Sequence, residues 1–206
     1  MNLHYKKTNM KYSFIIALAI LPFLLAAQQK TPSRADILKA KESRLVYPYL
    51  KGSTNTGVLP VEQPSFPFLH KGTVKLAFDL TQPTTDPAKG ELNQGLEEIV
   101  RQLNLQVAAG ARKLEAVVVF HGGAAQFMTG NETYKKKFNL DNPNLPLMKQ
   151  LMDKGVTFVV CGQTIELRDM KIEQFPEGVK RAYSARSALA DLQSRGFVMV
   201  AVAGEH

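Results

Sequence analysis

The 206-residue sequence carries a single cysteine, Cys161. An internal disulfide is thereby excluded, so the fold rests on its apolar core and the thiol is free, paired between subunits or modified. No Gly-x-Gly-x-x-Gly or phosphate-loop pattern follows the first strand signal, and nothing asks for a nucleotide or other cofactor. Gly-x-Ser-x-Gly is missing too, which argues against an α/β-hydrolase. His4, His70 and His206 form no metal-ligand spacing with Cys161, and no metal is expected. Basic and aromatic residues are not interleaved, which gives no support to a nucleic-acid partner. Internal repeats and low-complexity tracts are absent.

What is present begins with a basic start, Lys6, Lys7 and Lys11, followed by an apolar stretch from Tyr12 to Leu25 and the small residues Ala26 and Ala27. That order is the pattern of an export signal, expected to span residues 1–27 and to be cleaved after Ala27, which places the mature protein across the inner membrane, in the periplasm. Ser13 and Pro22 shorten the unbroken apolar core below the roughly 20 residues a membrane span needs, so no stable span is expected after cleavage; retention as an anchor is the competing reading. Cleavage removes three lysines and no acidic residue, and the formal net charge falls from +8 to +5. The surplus is scattered, with Lys135-Lys136-Lys137 as the one basic run, read as solvated.

Hydrophobic residues make up 45% of the chain, enough for a packed core. Residues 28–73 are read as an irregular N-terminal arm: Ser33 caps a short helix through Ala40, and Pro48, Pro60, Pro64 and Pro67 forbid long regular elements beyond it. From Val74 the rhythm turns to strand and helix in alternation through residue 203. Strands are expected at Val74–Leu80, Ala116–Phe120, Val156–Val160 and Phe197–Val202, with a short one between Val179 and Tyr183. Helices are expected at Leu92–Ala109, from a cap at Asn131 through Phe138, from Asn144 with Pro146 near its start, and at Ala185–Arg195 capped by Ser184. Repeated β-α units of this length predict a three-layer α/β/α domain with a mainly parallel sheet of about five strands.

Loops at the carboxyl edge of a parallel sheet collect reactive groups, and two strands deliver candidates there. Val156–Val160 ends in Cys161-Gly162-Gln163-Thr164, and Ala116–Phe120 ends in His121-Gly122-Gly123. Cys161 is either a buried small hydrophobe or a nucleophile whose pKa is lowered by N–H groups at a helical turn near Thr164 and by Arg168 beyond it. His121 polarises the thiol, or binds an anion together with the glycine N–H groups of Gly122 and Gly123, or only satisfies loop hydrogen bonds. Asp79, near the end of the first strand, is either a third member of the site or a plain carboxylate.

The stretches Lys75–Leu80, Val117–Gly122, Lys154–Thr164 and Ser187–Phe197, in this order and spacing, resemble the DsrE/DsrF-like family over about residues 72–203. The resemblance implies a compact α/β/α domain that assembles into homo-oligomers, trimers or hexamers. It also implies that Cys161 takes the place of a cysteine that accepts persulfide sulfur from a donor protein and passes it to an acceptor, with Arg168 similar to a basic residue shortly after it. The chain departs from the relay pattern in having Gly162-Gln163 after the cysteine and Arg168-Asp169 in place of a doubled basic pair. The expectation is thus an exported sulfur carrier or sulfurtransferase with Cys161 at its centre and His121, Gly122, Gln163 and Arg168 supporting it. The alternative is a non-catalytic small-ligand-binding or assembly module with a structural cysteine.

Overall fold

The computed structural model describes residues 32–81 and 86–202; the expected signal at 1–27 lies outside the described residues. Five strands form one sheet: β1 (Val74–Leu80), β2 (Leu114–Phe120), β3 (Thr157–Cys161), β4 (Lys180–Ala182) and β5 (Val198–Ala201), in the order β4-β3-β2-β1-β5. All of its pairings are parallel. The helices are α1 (Arg34–Ala40), α2 (Gln94–Ala109), α3 (Asn131–Phe138), α4 (Leu145–Asp153), α5 (Gly162–Leu167) and α6 (Ala185–Ser194). The expected α/β fold is therefore the observed one.

Strand periodicity decides which residues meet which layer. Leu76, Phe78 and Leu80 of β1 share one face with Ala116, Val118 and Phe120 of β2 and Phe158 and Val160 of β3, all buried against Leu96, Ile99 and Leu103 of α2 and Met148 and Leu151 of α4. The alternate residues Ala77, Val117, Val119 and Cys161 face the other way, onto Ala185 and Leu192 of α6 and onto Phe197. The topology accounts for this division. From β1 to β4 the chain steps across the sheet in one direction, and right-handed crossovers put those helices on one face; β5 returns to the far side of β1, so α6 covers the opposite face.

Several ends differ from the sequence-based expectation for local reasons. Helix α2 starts at Gln94 because the buried Asn93 side chain accepts the Leu96 N–H (3.1 Å) as its N-cap. Asn131 is the first residue of α3, with Gly130 as the cap; its side chain instead accepts the Asn142 N–H (2.8 Å). The Lys135-Lys136-Lys137 run is the last turn of α3, where cations complement the helix dipole, with Lys136 paired to Glu132 at 2.7 Å. Ser184 caps α6 as its sequence suggests, accepting the Ser187 N–H at 3.0 Å.

Residues 41–73 hold two 3-10 turns, Glu42–Arg44 and Thr54–Thr56, and an antiparallel bridge between Val46 and Val58. Polar side chains of α2 fasten this segment. The fully buried Asn104 accepts the Tyr49 and Leu50 N–H groups (2.7 and 3.1 Å) and donates to the carbonyls of Leu50 and Thr56 (2.8 and 2.9 Å). Glu97 accepts from Ser53 and from Asn55, the latter at 3.2 Å. Buried amides satisfied in this way hold irregular backbone that no strand partner could hold.

Candidate functional site

Cys161 ends β3 and serves as the N-cap residue of α5, so the sulfur stands where a strand gives way to a helix start. This junction requires glycine at position 162. A Cβ there would lie 2.5 Å from the Ala182 carbonyl oxygen and 3.0 Å from that of Tyr183, a separation no side-chain carbon tolerates. The close approach brings the beginning of α6 over β3, and the Ala185 N–H donates to the Cys161 sulfur at 3.2 Å. Ala185 is the first residue of α6, and its N–H is one of those a helix leaves without an internal partner.

The thiol is buried, 5% exposed, among apolar neighbours. Burial is the largest single influence on its pKa and raises it. Hydrogen bonding from the Thr164 hydroxyl and from the N–H groups of Ala185, Thr164 and Gln163 opposes burial and outweighs it, so the net pKa is lowered from the ordinary 9.0. The Thr164 hydroxyl is itself oriented: its oxygen accepts the Gly122 N–H at 3.1 Å, which leaves its own hydrogen for the sulfur.

Gly122 thereby links the loop after β2 to the thiol. It adopts φ +57, and a Cβ would stand 3.2 Å from the Thr81 carbonyl oxygen, so glycine suits the turn. His121, just before it, continues the ladder by donating its N–H to the Leu80 carbonyl at 3.0 Å. Its Nε2 lies 2.9 Å from Asp79 Oδ1, with both side chains partly exposed. Asp79 pairs in register with Val119, and Phe120 pairs with Val160. Asp79, His121 and Cys161 consequently occupy one face of the sheet at the carboxyl edge of three adjacent strands, whose neighbours stand roughly 5 Å apart.

The remaining sequence candidates separate. Gln163 is exposed and donates to the Tyr183 carbonyl at 3.4 Å, bracing the β4–α6 connection beside the thiol. Arg168 caps the other end of α5, about 10 Å along the helix from Cys161, and lines a different cavity with Lys137 and Gln174. The cation expected beside the sulfur is thus set apart from it, and N–H groups and a hydroxyl take its place. Thr164 and the Ala185 N–H were not among the expected site residues. The signal for Thr164 was its place three residues after a strand-end cysteine, where a helix start turns it back; Ala185 has no local signal. Among the described residues no group of three or more His, Cys, Asp or Glu side chains is arranged to hold a metal ion.

The fold is a parallel α/β/α domain with a cysteine at the carboxyl edge of a strand, between two helix starts. The chain belongs to the DsrE/DsrF-like family, whose model matches residues 75–201. No curated protein matches it significantly. Among solved structures it is similar to a protein of unknown function from Methanobacterium thermoautotrophicum, at 18% identity and a TM-score of 0.48, over 62% of this chain and 98% of that one.

Proposed function

We propose that the protein is an exported sulfur carrier in which Cys161 accepts sulfane sulfur. The observation that carries the reading is the set of donors gathered at the Cys161 sulfur from two helix starts, the Ala185 N–H at 3.2 Å among them, which favours the thiolate that such chemistry needs. In the loading step the Cys161 thiolate attacks the terminal sulfur of a donor persulfide, R–S–SH. A new S–S bond forms to Cys161, the donor's S–S bond breaks, and R–S⁻ leaves. The terminal sulfur carries its proton across, giving Cys161–S–SH; attack by an acceptor thiolate on that sulfur returns Cys161 to the thiolate. His121, held by Asp79 on the same face, would steady the loaded persulfide once it loses its proton, and the Gly122 N–H contributes through the Thr164 hydroxyl that it orients. Donor and acceptor proteins are implied partners, and the family resemblance supports a trimer or hexamer of this chain.

One observation favours a second reading. Cys161 is 5% exposed and belongs to the apolar cluster of Ala77, Val117, Val119, Leu192 and Phe197, as a structural cysteine would. Treatment of the folded protein with inorganic polysulfide separates the two. A carrier gains the mass of one or more sulfur atoms, reversibly on adding a thiol reductant, and Cys161→Ser abolishes the gain. An unchanged mass in the native state establishes the structural reading.

A further inference from the structure

A cavity of about 360 Å³ lies between the carboxyl end of α3 and the segment that leaves α5. Backbone hydrogen bonds tie its two sides. Helix α5 ends in a left-handed turn at Asp169 (φ 50), closed by the Met170 N–H donating to the Ile165 carbonyl at 2.9 Å. The Gly130 N–H donates to the Gln174 carbonyl at 2.7 Å and joins the two sides.

The chemistry of the lining is directional. Arg168 and Lys137 both reach the cavity, and among the described residues neither forms an ion pair. Gln174 uses its amide oxygen to accept the Lys171 N–H (2.8 Å), and Gln126 uses its own to accept from Lys137. Both amide nitrogens therefore remain as donors beside the two cations. Against these stands one carboxylate, Asp169; Phe138 and Met170 supply an apolar wall.

We propose that this cavity binds a small amphipathic oxyanion, a sulfonate-type head held by Arg168, Lys137 and Gln174 and an apolar body laid on Phe138 and Met170. A guanidinium, an ammonium and an amide provide donors for three oxygens, and a guanidinium makes paired, charge-assisted bonds to such a head. The site is separate from the thiol and does not depend on the sulfur-carrier reading.

Calorimetric titration of benzenesulfonate into the full chain tests it, with benzenesulfonamide as the neutral analogue. The expected result is saturable binding that weakens with added salt, falls at least about tenfold in Arg168→Ala, weakens also in Lys137→Ala, and is unchanged in Cys161→Ser. Arg168 is exposed, so its replacement leaves the core intact. Absence of saturable binding, equal binding of the neutral analogue, or full affinity in Arg168→Ala would overturn the proposal.

Discussion

Replacing Thr164 with valine removes the oriented hydroxyl and keeps the branched shape. In the native protein that hydroxyl donates to the Cys161 sulfur while accepting the Gly122 N–H at 3.1 Å. Cys161 and Thr164 are 5% and 7% exposed, so water replaces the lost bond poorly. A hydrogen bond to a charged group contributes about 1.5–3 kcal/mol, and the lower figure applies where other donors remain, as the N–H groups of Ala185, Thr164 and Gln163 do. That corresponds to roughly a tenfold smaller thiolate fraction at pH values where the thiol is mostly protonated. The more basic thiolate is also the better nucleophile, with a Brønsted coefficient of about 0.4–0.5, which offsets about half of the loss on a logarithmic scale. Alkylation of the folded variant should therefore run about threefold slower than wild type at low pH and about threefold faster at the high-pH plateau, so that the two rate profiles cross. Profiles that superimpose, or that differ by one factor at every pH, would refute the assignment of Thr164 as the donor to sulfur. The Gly122 N–H also loses its acceptor, at a cost of about 1 kcal/mol for a half-buried group, and chemical denaturation of the same variant should register that.

Gly162→Ala forces a methyl group to within 2.5 Å of the Ala182 carbonyl, so it should destabilise the fold by about 1–3 kcal/mol, with a visible fall in the denaturation midpoint. Asn104→Ala strands the N–H groups of Tyr49 and Leu50 and two carbonyls in a buried site; a loss of about 3 kcal/mol is expected, with amide exchange accelerated first at Tyr49 and Leu50. The lowered Cys161 pKa also fixes a pH dependence. The unfolded thiol binds a proton up to about its ordinary 9.0 and the folded thiol releases it at lower pH, so wild type should gain stability over Cys161→Ala as pH rises through that interval. The gain is complete above 9.0 and is lost as pH falls through the folded value; a flat difference across the interval contradicts the thiolate assignment.

The fold was readable wherever a residue's role is set by near neighbours. Val117–Phe120 and Phe158–Val160 announce buried parallel strands through β-branched and aromatic runs, and the spacing of Leu96, Ile99, Val100 and Leu103 announces the buried face of α2. Ser184 likewise marks the start of α6 by its own capping chemistry. The site was readable only in part. That His121 and Cys161 share an edge follows from strand order, but one of the donors to the sulfur lies 24 residues away at Ala185, in a close approach that the missing Cβ of Gly162 permits. Arg168 was expected near the thiol because it follows closely in sequence, yet α5 runs on to Leu167 and carries it to a cavity that Cys161 does not line. Asn104 gives no local hint of its partner Tyr49, 55 residues earlier, because the arm's order comes from that contact and not from its own propensity.

The thiolate at Cys161 is the claim on which the chemistry turns, and the ultraviolet absorbance of the thiolate, followed against pH in the folded protein with Cys161→Ser as the blank, measures it directly. A titration midpoint below the ordinary 9.0 is the result expected from the donors around the sulfur. A midpoint at or above that value would show that burial among Ala77, Val119 and Leu192 prevails, and would leave Cys161 a packing residue.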